Sequence, residues 1–281
     1  MPELPEVETI ARQLDSALRG RTIKSVTLLK TGREAPTGKK FIACLEGKKI
    51  QRVVRRAKLL IWEFADGSAV LAHLKMTGRF VFADKTYQPA KHDRAIFEFV
   101  GAHAMRPGRA AHAPTLVWSD IRQFGFMRCV SKEEKEKTLA AYGPEPLEAT
   151  EDEIARCLEK PKTRKIKSAL LDQATIAGIG NIYADEALFR AGIRPTRRLS
   201  EITRADRLRL AREIKILLKK SIRLRGTSAS DYVDASGAKG SFEKHLRVYG
   251  RGGEKCLVCG TPIKRTVLNQ RGTHYCPQCQ K

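Results

Sequence analysis

No run of about 18 apolar residues occurs in these 281 residues, so no segment reads as a bilayer-spanning helix. The opening Met1-Pro2-Glu3-Leu4-Pro5-Glu6 lacks the basic and apolar regions of a secretory signal, and no lipidation signal is found, so a cytoplasmic protein is expected. A Gly-rich phosphate loop after a strand is also missing, which argues against a nucleotide cofactor. No internal repeat appears. Acidic side chains are in short supply: 31 Asp and Glu against 54 Lys and Arg leave a net charge of +23. Such a surplus attracts polyanions and releases condensed counterions from a nucleic acid. With no terminal polybasic tail, nucleic acid is the favoured partner over a membrane surface.

Cysteine is sparse and unevenly placed. Cys44, Cys129 and Cys157 stand singly among apolar or helical neighbours and read as buried reduced thiols. Cys256, Cys259, Cys276 and Cys279 form two C-x-x-C pairs separated by 16 residues. Two such pairs joined by a β-hairpin arm suit one Zn²⁺ in a closed tetrahedral set, which makes the ion structural and not catalytic. Two disulfides are the alternative, disfavoured inside a cell.

Residues 6–19 alternate apolar positions at helical spacing, Val7, Ile10, Ala11, Leu14, Ala17 and Leu18, and Gly20 supplies a stop. Short β-rich runs follow at 22–29, 50–55, 58–64, 69–74, 79–83, 94–100, 115–119 and 125–130, a pattern that predicts a β-sandwich or barrel. Segment 101–114 has no periodicity and reads as a long basic loop. A polar helix starts near Ser131, and Gly143-Pro144-Glu145-Pro146 reads as a hinge. Helical patterns then cover 151–159, 165–173, 181–191 and 201–224, with a Gly- and Ser-rich loop at 225–241. The expected fold is α+β and multidomain: a β-sandwich over 1–130, a linker over 131–150, a helical domain over 151–246 and a zinc finger over 247–281.

Four places carry candidate chemistry. In Gly178-Ile179-Gly180-Asn181, two glycines permit a tight turn and Asn181 opens a helix, as an N-cap, a phosphate contact or both. In Asp120-Ile121-Arg122-Gln123-Phe124-Gly125, Arg122 and Phe124 suit a wedge that unstacks bases, the alternative being a core Phe124 and an Arg122–Asp120 ion pair. Met76 reads more readily as core than as wedge, and Lys58, opening the strand after Arg55-Arg56-Ala57, as a solvated surface lysine. The fourth place is the start: removal of Met1 would expose Pro2 as a secondary amine, partly unprotonated near neutral pH, with Glu3 beside it to move protons. Arg271 sits on the expected turn of the finger hairpin, where phosphate contact competes with a solvated cation.

Together these segments resemble the bacterial formamidopyrimidine-DNA glycosylases over nearly the whole chain. The resemblance rests on Met1-Pro2-Glu3-Leu4-Pro5-Glu6-Val7-Glu8-Thr9, Lys58, Met76, Lys91-His92-Asp93, the Asp120–Gly125 turn, Gly143-Pro144-Glu145-Pro146-Leu147, Gly178-Ile179-Gly180-Asn181-Ile182-Tyr183, Val248-Tyr249-Gly250-Arg251 and the four-cysteine finger, in that order. It implies a β-sandwich, a helix–two-turn–helix domain and a zinc finger in a monomer acting on double-stranded DNA that carries oxidised bases or abasic sites. It also implies roles: Pro2 as nucleophile on C1′, Glu3 as acid/base, Lys58 in β-elimination, Arg271 and Asn181 on phosphates, and Arg271 also in δ-elimination. His92, Arg122 and Lys162 fall at further DNA contacts, and Met76, Arg122 and Phe124 fill the space left by a flipped base. Gln123 and Ser230 depart from the cations common at those positions. The implied activity is removal of oxidised purines with strand nicking. The alternatives are an endonuclease VIII-like enzyme for oxidised pyrimidines, whose opening usually has Gly where this chain has Leu4, and a non-catalytic zinc-finger binder.

Overall fold

Helix α1 (Leu4–Leu18) starts where Pro5 needs no N–H partner and where two carboxylates close its first turn. The Glu3 side chain accepts the backbone N–H of Glu6, and the Glu6 carboxylate accepts the Glu3 N–H at 2.9 Å. Val7, Ile10, Ala11, Leu14 and Leu18 all point inward from this helix. The computed structural model describes residues 1–29, 38–84, 86–100, 115–228 and 232–281; the expected 101–114 loop, Ser230 and Asp231 lie outside them.

The chain continues through β1 (Thr22–Leu28), α2 (Gly38–Leu45), β2 (Ile50–Arg56), β3 (Leu59–Phe64), β4 (Ala69–His73), β5 (Gly78–Ala83), β6 (Asp93–Val100), β7 (Thr115–Asp120) and β8 (Phe126–Val130). Among the described residues these strands form two four-stranded antiparallel sheets, in the orders β1-β6-β7-β5 and β2-β3-β4-β8. The short β-rich runs of the sequence therefore give the expected sandwich. Trp62 of β3 joins the two layers. Its ring meets Phe97 of β6 edge-on at 5.3 Å and Phe80 of β5 at 5.7 Å, and Phe80 in turn stacks on Trp118 of β7 at 6.4 Å. All four rings are buried, in one apolar cluster with the inner face of α1.

Helix α2 has no counterpart in the sequence-based expectation. It buries only Phe41 and Leu45, so no full helical period repeats. It also overturns one expectation: Cys44 of α2 is joined to Cys129 of β8 by a disulfide, with Cα atoms 6.6 Å apart, so neither is a reduced thiol here. Both residues are half-buried. Partners 85 positions apart leave no local pattern by which to pair them. Cys157 is free, as expected, but only half-buried.

The chain divides into two compact units: Met1–Leu139 with Arg225–Ser241, and Ala140–Leu224 with Phe242–Lys281. Helix α3 (Lys132–Ala140) buries no side chain, and α4 (Glu151–Cys157), α5 (Ile166–Leu171), α6 (Asn181–Arg190) and α7 (Arg204–Arg223) follow. Thr150 and Thr203 cap α4 and α7 with complete capping boxes. The long α7 buries Leu210, Ala211, Ile214, Leu217 and Leu218 at helical spacing. Strands β9 (Lys264–Leu268) and β10 (Arg271–Tyr275) pair as the finger hairpin. Gly143, in the segment expected to be a hinge or linker, donates its N–H to Gln173 O at 2.9 Å, and a Cβ there would stand 2.5 Å from Ala174 O.

Because Trp62 is the residue shared by both layers, Trp62→Ala is expected to lower stability by about 3–5 kcal/mol. Trp62→Phe, which also removes an indole N–H that has no hydrogen-bond partner among the described residues, should lose about 1.5 kcal/mol or less. Urea unfolding of the two variants measures the difference.

Candidate active site and nucleic-acid interface

In the first unit the N-terminal turn is sealed. Pro2 is buried, Glu3 is 2% exposed and Glu6 1% exposed. Glu6 does more than close α1: its Oε1 accepts the Thr227 N–H at 2.7 Å, so one carboxylate ties the start of the chain to the 225–241 segment. Gly226 is required there, since its φ is +81° and a Cβ would come within 2.7 Å of Glu6 Oε1. The segment is pinned again where Ala235 donates to Gln13 Oε1 at 2.8 Å and accepts from Phe82 N at 2.9 Å. Burial and the nearby Glu6 and Asp234 carboxylates push the Tyr232 phenol well above its ordinary range.

Lys58 is buried at 7% exposure in the two-residue turn between β2 and β3, where Ala57 takes a φ of 54°. Arg55 holds that turn: its Nη1 donates to Ala57 O at 3.0 Å while its Nε meets Glu8 at 2.8 Å. Burial works against the Glu8 charge, but Arg55 and then Arg12 outweigh it and hold the carboxyl below its usual range.

The structure brings Met76, Arg122 and Phe124 together at the surface. The Arg122 guanidinium lies 4.8 Å from the Phe124 ring centroid, and its Nη1 is 3.0 Å from Met76 Sδ. Phe124 is 48% exposed and Met76 42%, so neither is core. Asp120 builds the turn under them instead of pairing with Arg122: its Oδ2 accepts Gly125 N at 2.7 Å, and its own N–H donates to His92 O at 2.9 Å. Gln123 occupies the left-handed region with φ 60°. His92 is half-buried beside this turn.

In the second unit Gly180 takes the N-cap position and Asn181 is the first helical residue, so the expected Asn181 cap is corrected. The Asn181 side chain instead donates to Gly272 O at 2.9 Å, placing it against β10 next to Arg271. Arg271 is exposed, and so is Lys162 in the connection between α4 and α5. Behind Asn181 lies an ion pair with no exposure on either side chain, Lys167 Nζ to Asp185 Oδ1 at 2.6 Å. Lys167 also donates to Gly272 O at 2.9 Å and to Thr273 Oγ1 at 2.8 Å, and Asp185 Oδ2 accepts His274 N at 2.9 Å. Strand β10 is thus locked onto α5 and α6 by buried, fully engaged charges.

The four finger cysteines bring their sulfurs within 4.8 Å of one another. Cys256 and Cys279 sulfurs are 3.9 Å apart and those of Cys259 and Cys276 are 3.4 Å apart. A tetrahedron with Zn–S near 2.3 Å has edges of roughly 3.8 Å, so the set fits one Zn²⁺. The Val258 and Cys279 N–H groups point at Cys256 and Cys276 sulfur, at 3.5 and 3.4 Å, which favours thiolates.

Residues 1–127 match the formamidopyrimidine-DNA glycosylase N-terminal domain, 142–233 its H2TH domain and 253–281 the zinc finger found in FPG and IleRS. A formamidopyrimidine-DNA glycosylase of Desulfitobacterium hafniense is 41% identical over 285 residues, covering all of both chains. The chain belongs to the formamidopyrimidine-DNA glycosylase family. Among solved structures, a complex of Lactococcus lactis Fpg with abasic-site DNA superposes with a TM-score of 0.88 at 34% identity over 99% of each chain. A complex of the wild-type Lactococcus lactis enzyme with DNA containing an oxidized pyrimidine gives 0.86 at 34% identity over the full length of both.

Three engaged residues of the chain escaped the sequence reading. Glu6 stands three residues after Glu3, the capping-box spacing that could have revealed it. Lys167 interrupts the apolar run Ile166, Ala169, Leu170, a buried charge in need of a partner. His73 faces Leu59 across the β3–β4 ladder, next to Lys58, and its Nδ1 accepts Lys75 N–H at 2.9 Å. Burial, then the Lys75 and Lys58 charges, lower its pKa from 6.5 to about 3. The unfolded chain therefore binds a proton that the folded chain refuses between those values. His73 supports the fold fully above about pH 6.5, and that support is lost as pH falls toward 3. His73→Gln should flatten the decline in urea midpoint between about pH 6.5 and pH 4, relative to the parent protein.

Proposed function

We propose that the chain is a base-excision repair enzyme that removes oxidised purines from double-stranded DNA and then nicks the strand. The observation that carries this reading is the sealed N-terminal turn: a buried Pro2 and Glu3, fixed by Glu6, at the start of a chain of this family. After loss of Met1 the Pro2 nitrogen attacks C1′ of the damaged nucleotide. The glycosidic bond breaks and the base leaves with a proton; the C1′–O4′ bond then opens, O4′ takes up a proton, and a cationic iminium remains. Glu3 moves protons at this centre. Loss of a proton from C2′ expels the 3′ phosphate, with Lys58 as the assigned proton mover, and a second elimination, aided by Arg271, expels the 5′ phosphate.

The remaining groups hold the substrate. Asn181 and Arg271 of the second unit contact phosphates, and Lys162 of the second unit, with His92 and Arg122 of the first, makes further contacts to DNA. Met76, Arg122 and Phe124 fill the gap left by the flipped nucleotide. Their exposure and mutual contact support that role, because a plug must be available before the base leaves. Zinc is structural, held by Cys256, Cys259, Cys276 and Cys279, and keeps the Arg271 hairpin folded. A charge of +23 supplies the general attraction to DNA. All these groups lie in one chain, which fits a monomer working in the cytoplasm.

Because the Lactococcus lactis relative has been captured with an oxidized pyrimidine, substrate choice needs direct comparison. In single-turnover excision, duplexes carrying 8-oxoguanine or formamidopyrimidine opposite cytosine should be processed at least about tenfold faster than thymine glycol duplexes. Glu3→Gln should slow base release roughly 100-fold or more. Faster processing of thymine glycol would assign the pyrimidine activity instead, and no product from any duplex would leave a binding protein.

A further inference from the structure

Cys44 and Cys129 lie outside every group assigned above to DNA or to zinc. Cys44 sits in the last turn of α2, and Cys129 lies on β8, an edge strand of the β2-β3-β4-β8 sheet. Their Cα separation of 6.6 Å is within the span of a disulfide. Both residues are half-buried, so a small oxidant reaches them. The same chain depends on four other cysteines that bind zinc only as thiolates. A compartment that preserves those thiolates also reduces an accessible disulfide. The pair is therefore suited to open and close with conditions, unlike the fixed struts of secreted domains.

We propose that Cys44 and Cys129 form a thiol-oxidation site, closed by a hydroperoxide into a staple between α2 and β8. The thiolate of one cysteine attacks a peroxide oxygen, the O–O bond breaks, and a sulfenic acid and one water (or alcohol) form. The second thiol attacks the sulfenic sulfur, the S–S bond forms and a second water leaves. The two sulfurs give up two electrons and the peroxide takes both.

The staple has something to hold. Helix α2 buries only Phe41 and Leu45, and among the described residues β8 has a single strand partner, with Cys129 opposite Val70. Strand β8 also begins one residue after the turn that carries Arg122 and Phe124. Closing the bond ties a lightly anchored helix to that strand. Hydroperoxides belong to the same chemistry that oxidises DNA bases, so the staple closes when damage is being made. The inference holds whichever lesion the chain removes.

The test starts from zinc-loaded, full-length protein reduced with dithiothreitol and then freed of it. Hydrogen peroxide is titrated in, free thiols are alkylated, and the digest is mapped without reductant while a zinc dye reports metal loss. A linked Cys44–Cys129 peptide pair is expected at doses that leave zinc bound. Amide exchange over 38–45 and 126–130 should slow roughly tenfold, and dithiothreitol should reverse it. Cys44→Ser and Cys129→Ser, both at half-exposed positions, should show neither the link nor the slowing. The proposal is overturned if the two thiols stay open until zinc is lost, if the bond forms without changing exchange in either segment, or if excess dithiothreitol fails to open it in the folded protein.

Discussion

A buried carboxylate at the beginning of the chain organises the first unit. Glu6 accepts the N–H of Glu3 through one oxygen and that of Thr227 through the other. A carboxylate at 1% exposure is stable only when such donors surround it. Two segments 221 residues apart in sequence are thereby fixed to one point, and Gly226 is the residue small enough to approach it. The turn bearing Pro2 and Glu3 is held by the helix it begins and by the 225–241 segment, not by its own short length. Preorganisation of this kind suits the role proposed for Pro2, a nucleophile with few rotatable bonds.

The second unit applies the same principle with opposite charges. Lys167 and Asp185 are sealed from solvent, and each spends its remaining hydrogen-bonding capacity on β10. Removing either partner would strand the other charge, a situation far worse than losing an exposed pair. Zinc folds the hairpin, and the buried ion pair docks it. Both act on the residues around Gly272, where Asn181 bonds the carbonyl of the residue that follows Arg271.

Much of the fold could be read from local pattern. Eight short β-rich runs became eight strands in the described residues, since β-branched and aromatic side chains suit a pleated strand. The spacing of Cys256, Cys259, Cys276 and Cys279 gave the metal set directly. Other features depend on tertiary partners and left little local trace. Helix α2 is too short to show its period, and the Cys44–Cys129 bond joins distant positions. Asn181 resembled a cap until β10 supplied a stronger partner for its amide. His73 carries no sign in the sequence that its ring stays neutral, because that depends on burial beside two lysines. Functional roles came from family resemblance, and the geometry narrows some of them: an exposed Phe124 under the Arg122 guanidinium has no place in a core.

The central claim is that the imino nitrogen at position 2 is the attacking group. Borohydride reduction of the protein on lesion-containing DNA, followed by digestion and peptide sequencing by mass spectrometry, addresses it at the level of one atom. The account predicts a single adduct on an N-terminal peptide that begins at Pro2 and lacks Met1. An adduct on Lys58 or any other side chain, or full activity in protein that retains Met1, would contradict it.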